Sequence, residues 1–292
     1  MIKPAEFIHP EDAAALRALK AIPGVTRISK TFLEYGYEKM YYGQNLGSCI
    51  RLSPTQLPHI YKHLPPICDK LDMDEPEFYL SMDPQPNAWT FGETYKFICV
   101  TSGLIETLED DEIDAVIAHE CGHIICQHSL YHSMARLMLE HGYEMLLPFG
   151  LSEPFLLALF YWERKGELSC DRIAAAVTSP DVVTRVQTRL SGGSKKLTAN
   201  ININELVGQA DEFEKIYNEK GVWNRAVQMY GIMYRTHPYS AVRVREVQKW
   251  GKTAEYLKSK GLLNVSNNAR CKTCGKQIPN VNNFCPFCGC AK

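Results

Sequence analysis

The chain has 292 residues, enough for one large domain or two ordinary ones. With 45% hydrophobic and 22% charged residues and a formal net charge of -1, it reads as a globular protein without a broad phosphate-binding surface. The N-terminal residues lack the basic-then-apolar pattern of a signal peptide, and the most apolar stretch, residues 145–162, is interrupted by Pro148, Gly150, Ser152, Glu153 and Pro154, short of the ~20 apolar residues needed to span a bilayer.

That stretch reads as a buried helix pair, with a re-entrant or membrane-surface element as the alternative. There are 11 cysteines, four of them at regular spacing in the last 22 residues and six scattered over the first 170. A secreted disulfide framework needs a signal and a shorter chain, so the cysteines point to reduced thiols in a cytoplasmic location, with the tail cysteines as metal ligands.

In chain order, residues 1–72 read as an N-terminal helical segment that covers or braces the rest of the chain. A first helix starts at Pro10-Glu11-Asp12 and is stopped by Pro23-Gly24. A tyrosine-rich helix is predicted over 31–42, and another over 53–71, broken at Pro65-Pro66. Residues 73–263 form the main domain. Residues 78–82 and 89–101 have strand character, and Phe91-Gly92-Glu93-Thr94 splits the second stretch into a hairpin. A helix enters at Thr101-Ser102-Gly103. The acidic start Asp110-Asp111-Glu112 opens a long helix predicted to run to residue 139. Further helices are expected over 154–178, 204–235 and 240–260, with His237-Pro238 breaking the last two apart. Residues 264–292 are a polar linker and a small cysteine module.

The chemistry lies in His119-Glu120-Cys121-Gly122-His123. Inside a helix, His119 and His123 fall about 40° apart on one face, where two imidazoles can bind one zinc ion. Glu120 is offset by about 100°, placed to act on a water rather than on the metal. This is the HExxH arrangement, in which the glutamate is general base. The alternative is a pair of core histidines satisfied by hydrogen bonds. A catalytic zinc needs a third protein ligand. Cys126 and Ser129 stand where a metzincin has glycine and histidine, which excludes that pattern. His128 and His132 fall on the far side of a continuous helix and read as surface or second-layer residues. Glu167, with Asp171 one turn later, is the better candidate: the first carboxylate binds zinc and the second orients a ligand histidine. The alternative is two acids on a solvated face, which the flanking Leu168 and Ile173 to Val177 disfavour.

His119-Glu120-Cys121-Gly122-His123 followed by Glu167-Leu168-Ser169-Cys170-Asp171 resembles the peptidase family of HtpX and the CAAX prenyl protease. Pro86-Asn87-Ala88-Trp89, Val100-Thr101-Ser102-Gly103-Leu104 and Thr236-His237-Pro238 with Arg243 are similar to that family's pattern as well. The resemblance implies zinc ligands His119, His123 and Glu167, Glu120 as base, and Asp171 orienting a histidine. It further implies His237 near the metal as an oxyanion stabiliser and Arg243 holding an active-site carboxylate. The family's membrane members carry transmembrane helices between the two motifs, where this chain is short and interrupted, so a prenylated or membrane-embedded substrate does not follow. The strand around Asn87 and Ala88 is expected to pair with an extended substrate, with a plain sheet edge as the alternative.

Cys271-x2-Cys274-x10-Cys285-x2-Cys288 is a paired-knuckle pattern, each pair followed by glycine. Four thiolates suit a closed tetrahedral zinc site whose binding supplies the module's folding energy. Cys290 is spare. With only Arg270, Lys272, Lys276 and Lys292 nearby, the ribbon is expected to serve a protein partner or the fold, through Phe284 and Phe287, rather than nucleic acid.

The expected fold class is α+β: a mainly helical zincin-like peptidase domain with a small antiparallel sheet, plus the ribbon. The expected function is zinc-dependent endopeptidase action on peptides or unfolded protein, with two Zn2+ ions, one catalytic and one structural. The competing readings are a non-catalytic zinc-binding adaptor and, against the neutral charge, a nucleic-acid factor.

Overall fold

A computed structural model describes residues 7–23, 25, 29, 31, 38–141, 153–218, 237–261, 269–270, 273–274 and 277–278. Helix α1 spans Pro10–Lys20 and α2 spans Glu38–Ser48. Strand β1 is Ile50–Arg51, α3 is Pro58–Tyr61 and α4 is Leu64–Leu71. Three strands come next, β2 at Glu77–Ser81, β3 at Ala88–Phe91 and β4 at Phe97–Thr101. The helices then run as α5 Ser102–Thr107, α6 Asp110–Ile125, α7 Ser129–His141, α8 Glu153–Val177, α9 Pro180–Gly192, α10 Lys195–Thr198, α11 Ile203–Asn218, α12 Ser240–Trp250 and α13 Ala254–Ser259. A two-residue pair, β5 Ala269–Arg270 and β6 Gln277–Ile278, closes the described chain. Among the described residues no helix is long and apolar enough to cross a membrane.

The α+β architecture matches expectation, with one correction to the sheet. Its order is β1-β2-β4-β3, and β2 pairs with β4 in parallel, so it is mixed rather than wholly antiparallel. The β3–β4 hairpin inserts its second strand beside β2 and leaves β3 at the edge. Strand alternation sends Phe78, Ile98 and Val100 into one core cluster and Tyr79, Phe97 and Cys99 into another. Burial on both faces explains why β4 reads as an unbroken apolar run.

Three predicted helices are shorter than expected. The break within 53–71 falls at Lys62-His63, not at Pro65-Pro66, which sit in the first turn of α4. Proline is tolerated there because the first-turn N–H groups have no partner within the helix. The helix predicted to reach residue 139 divides into α6 and α7, with Gln127 left-handed at φ 58. The 240–260 helix divides at Gly251. Parts of the predicted helices over 31–42 and 204–235 lie outside the described residues.

The N-terminal segment is built into the core. Phe7, Leu52, Ile60 and Leu64 share a cluster with Ile117 and Ala118 of α6. Helix α1 packs along α8. Its Asp12 is buried and accepts hydrogen bonds from Ser169 Oγ at 2.5 Å and Trp162 Nε1 at 3.0 Å, with His128 Nε2 at 3.1 Å. Burial pushes its carboxyl up, but these three partners outweigh that and hold it below its ordinary value. Glu38 of α2 accepts the backbone N–H groups of Glu93, Thr94 and Tyr95 at 2.5–2.8 Å, so it pins the β3–β4 turn. Gly92 in that turn has φ +95°, and a Cβ there would meet the Tyr95 carbonyl at 2.1 Å.

Candidate active site

Helix α6 carries His119, Glu120 and His123, all buried. Its start is defined by local chemistry: the Glu109 N–H donates to Glu112 Oε2 at 3.1 Å, and Asp110 to Glu112 place negative charge at the helix N-terminus. Glu120 is held from the edge strand, where Thr90 Oγ1 donates to its Oε2 at 2.9 Å.

Helix α8 runs alongside α6 and supplies Glu167 and Asp171. The two helices approach closely at Gly122, where a Cβ would come within 3.2 Å of the Cys170 backbone. Glu167 Oε2 lies 3.3 Å from His119 Nε2, and its Oε1 lies 3.2 Å from His123 Nε2. Asp171 Oδ1 lies 3.1 Å from His119 Nδ1. With Nε2 turned toward Glu167, that contact suits a proton on Nδ1, which Arg243 Nη2 also approaches at 3.4 Å.

Helix α12 and the turn before it close the site. Arg243 clamps Asp171 with two bonds, Nε to Oδ2 at 2.8 Å and Nη2 to Oδ1 at 2.6 Å. Its Nη1 lies 3.0 Å from Glu167 Oε2. His237 Nδ1 lies 2.9 Å from the same oxygen, with its side chain 53% exposed toward the cleft. Gln187 of α9, with its amide oxygen turned toward Arg243, accepts from Nη2 at 3.1 Å.

These contacts define an electrostatic cradle. Burial raises the Glu167 carboxyl, but His237, Arg243 and His119 outweigh it and hold it well below the usual carboxylate range. Burial likewise lowers the His119 imidazole, yet the Glu167 charge and the close approach of the Asp171 and Glu167 carboxylates lift it to about 10. The site therefore favours positive charge at the meeting point of His119 and Glu167.

The donor set fits a zinc ion. Both Glu167 oxygens are buried, and neither receives a hydrogen bond of good geometry. Four tetrahedral ligands at ordinary zinc distances stand about 3.3–3.5 Å apart, close to the 3.2 and 3.3 Å found here. Cys170 also offers a sulfur within 4.8 Å of the histidine nitrogens. Burial raises that thiol well above its ordinary value, whereas the surrounding cations hold the Glu167 carboxyl well below the usual range. Glu167 and Cys170 are thus both placed beside the two histidines, where either could serve as a third ligand.

Thus the structure brings His119, Glu120, Glu167, Asp171, His237 and Arg243 together around one cleft of about 600 Å³, and His123 lines an adjoining cavity that shares Glu120 and His237 with it. Asn87 and Ala88 line it as well. Asn87 exchanges both backbone groups with Thr101: Thr101 N donates to Asn87 O at 3.0 Å, and Asn87 N donates to Thr101 Oγ1 at 2.9 Å. By strand alternation the backbone groups of Ala88 then face away from β4. Cys274 lies in the turn between β5 and β6, while Cys271, Cys285 and Cys288 lie outside the described residues.

For His128 and His132 the structure selects the second layer over the surface. Both are buried, not at the surface, because the helix break at Gln127 swings them back toward the site. The His132 ring lies 4.7 Å from that of His123, and its Nδ1 pairs with Glu163. Sequence reading also missed Thr90 and Gln187. Neither carries a local signal, since each acts on a residue far away in the chain.

The family model described as peptidase family M48 matches residues 56–251. The chain is 31% identical over 267 residues to the plastoglobule-localized metallopeptidase 48, chloroplastic, of Arabidopsis thaliana, covering 90% of this chain and 76% of that relative. It is 26% identical over 185 residues to a protease HtpX homolog of Caldanaerobacter subterraneus, covering 58% of this chain and 60% of the relative. A Sulfurovum HtpX homolog is 32% identical over 93 residues, 30% of this chain and 34% of its own length. The chain thus spans under two thirds of these two HtpX homologs. No solved structure gave a significant match.

Proposed function

The chain belongs to peptidase family M48 and is a metallopeptidase, and from that premise we propose a zinc-dependent endopeptidase in which His119, His123 and Glu167 hold the ion and Glu120 is the general base. The observation that carries the reading is the convergence of two imidazole nitrogens on the two oxygens of one buried carboxylate at 3.2–3.3 Å. When bound, zinc supplies Lewis-acid polarisation of the scissile carbonyl and of the attacking water. Glu120 takes the water's proton and passes it to the leaving amine, with Thr90 fixing which carboxylate oxygen faces the cleft. His237 donates to the developing oxyanion from its exposed position. Asp171, itself clamped by Arg243, keeps the His119 proton on Nδ1.

The substrate in this reading is an extended peptide or unfolded protein, added as a strand beside β3. Leu104, Val116, Val183, Val186 and Leu190 give one side of the cleft an apolar wall suited to an apolar side chain. The strand pairing has a direct test at Ala88. Proline is compatible with an outward-facing edge position but removes the N–H. Ala88→Pro is expected to keep the fold and lower kcat/KM by about 10-fold or more, as for one or two lost backbone hydrogen bonds. An unchanged kcat/KM on an unfolded substrate would exclude strand addition at this position.

We assign a second, structural zinc to Cys271, Cys274, Cys285 and Cys288, with the ribbon serving a protein partner and not nucleic acid. The same proposal takes residues 73–263 as the peptidase unit, 1–72 as its brace and 264–292 as linker and ribbon. Cys49, Cys68, Cys99, Cys121, Cys126 and Cys170 are free thiols, which supports work in a reducing compartment such as the cytoplasm. Purified protein is expected to carry two zinc ions per chain. Stripping the one not bound by thiolates abolishes hydrolysis of an unfolded protein, and zinc restores it. Full activity in the stripped chain would sink the reading. The competing zinc adaptor would bind both ions and hydrolyse nothing.

A further inference from the structure

Asp12 is a buried carboxylate that takes no part in the proposed hydrolysis, and it lies 44 residues before the family-matched stretch begins at 56. Its partners are divided between the two helices that carry the proposed ligands. His128 follows the turn that ends α6, and its backbone N–H donates to the His123 carbonyl at 2.9 Å. Its ring reaches Asp12 through Nε2 at 3.1 Å. Ser169 sits on α8 midway between Glu167 and Asp171, and its hydroxyl donates to Asp12 at 2.5 Å. Trp162, two turns earlier on α8, donates at 3.0 Å. His9 N–H donates to Ser169 Oγ at 2.9 Å, so the α1 entrance is tied to the same point.

We propose that Asp12 is a positioning residue of the active site, a carboxylate of the N-terminal segment that holds the end of the histidine helix and the middle of the glutamate helix in one fixed relation. This inference rests on the ligand assignment proposed above. The geometry explains why such a tie acts on the metal. The ligand set needs His123 on α6 and Glu167 on α8 at a separation set within a few tenths of an ångström. Side chains on α6 and α8 meet there at small residues. Gly166 gives way to the His128 ring, which a Cβ would approach to 3.3 Å, and Gly122 gives way to Cys170. Small residues permit close approach but do not define a register. The three bonds to Asp12 supply direction, because a single carboxylate cannot keep all three partners if α6 slides on α8. Helix α1 itself contributes nothing to the walls of the two cavities at the site, so it braces from behind and does not lie across the cleft.

The test uses the full chain, with Asp12→Asn, which keeps size and one acceptor oxygen, and Ser169→Ala, which removes one bond only. Glu11→Gln, at an exposed neighbour paired with Lys165, is the control. Zinc affinity is measured by competition with a chelator, at the site defined as the one lost in Glu167→Gln. Asp12→Asn is expected to weaken zinc binding and lower kcat by about 10- to 100-fold each, with KM changed by less than about threefold. Ser169→Ala is expected to show the same pattern more weakly, and Glu11→Gln to behave as wild type. A role confined to fold stability predicts a lower melting temperature with zinc affinity and kcat of the folded protein unchanged, and that result overturns the proposal. Wild-type protein that binds no zinc at the Glu167 site overturns the ligand assignment first and this inference with it. Wild-type zinc binding with an unaffected Asp12→Asn overturns this inference alone.

Discussion

Glu120→Gln is expected to lower hydrolysis of an unfolded protein by about 100- to 10,000-fold while leaving zinc content unchanged. The amide is nearly isosteric and still accepts from Thr90 Oγ1, which now reaches Glu120 Oε2 at 2.9 Å. What it loses is the ability to take up a proton. Because Glu120 is not among the groups gathered around Glu167, the ion keeps its three ligands. Metal analysis and kcat on the same preparation separate the two roles. Retained activity would exclude Glu120 as base, and lost zinc would place it among the ligands instead.

Arg243→Met is expected to destabilise the zinc-free protein by about 3–5 kcal/mol, the range for removing one partner of a buried ion pair. Arg243 is 8% exposed and faces two buried carboxylates, Asp171 and Glu167. Methionine fills the space but leaves both anions without their guanidinium. Zinc offsets part of that charge, so the loss in melting temperature should be smaller with zinc bound than after chelation. The pH dependence has a definite sign. Burial raises the Asp171 carboxyl, and Arg243 more than reverses this, leaving it below its ordinary value. A depressed carboxylate contributes stability that is present above about pH 4 and lost as the pH falls through its folded value. Without Arg243 the acid-side loss should therefore begin at higher pH. Equal acid denaturation midpoints for the two zinc-free proteins would show that Arg243 does not set the charge state of this site.

The parts of the site legible in the sequence are those whose geometry is local. His119 and His123 share a helix face whatever surrounds the helix, and so do Glu167 and Asp171, because both pairs are four residues apart. The hairpin at Phe91–Thr94 announces itself through Gly92, whose φ of +95° other residues adopt only with strain. Where no such signal exists, reading from sequence fails in a predictable way. The apolar pattern continues across Cys126, Gln127 and His128, and no glycine or proline marks the end of α6. A left-handed glutamine ends it, with the Gln127 N–H bonded to the Ile124 carbonyl and the His128 N–H to the His123 carbonyl. That break moved His128 and His132 from the far side of an imagined helix into the wall behind the metal site.

By itself, then, the sequence determined the family of this protein and the residue types gathered at its candidate site: two histidines and a glutamate on one helix, and a carboxylate pair on another with the same helical spacing. Only the tertiary structure decided which anions share a cation and what holds them there. Asp12 reads as an ordinary acid in a first helical turn, and its bond to Ser169 spans 157 residues. Arg243 finds Asp171 across 72 residues, and Thr90 finds Glu120 across 30. Such pairings are selected by burial: once the helices pack, each charged or polar group withdrawn from water must find a partner, and which one it finds depends on the packing.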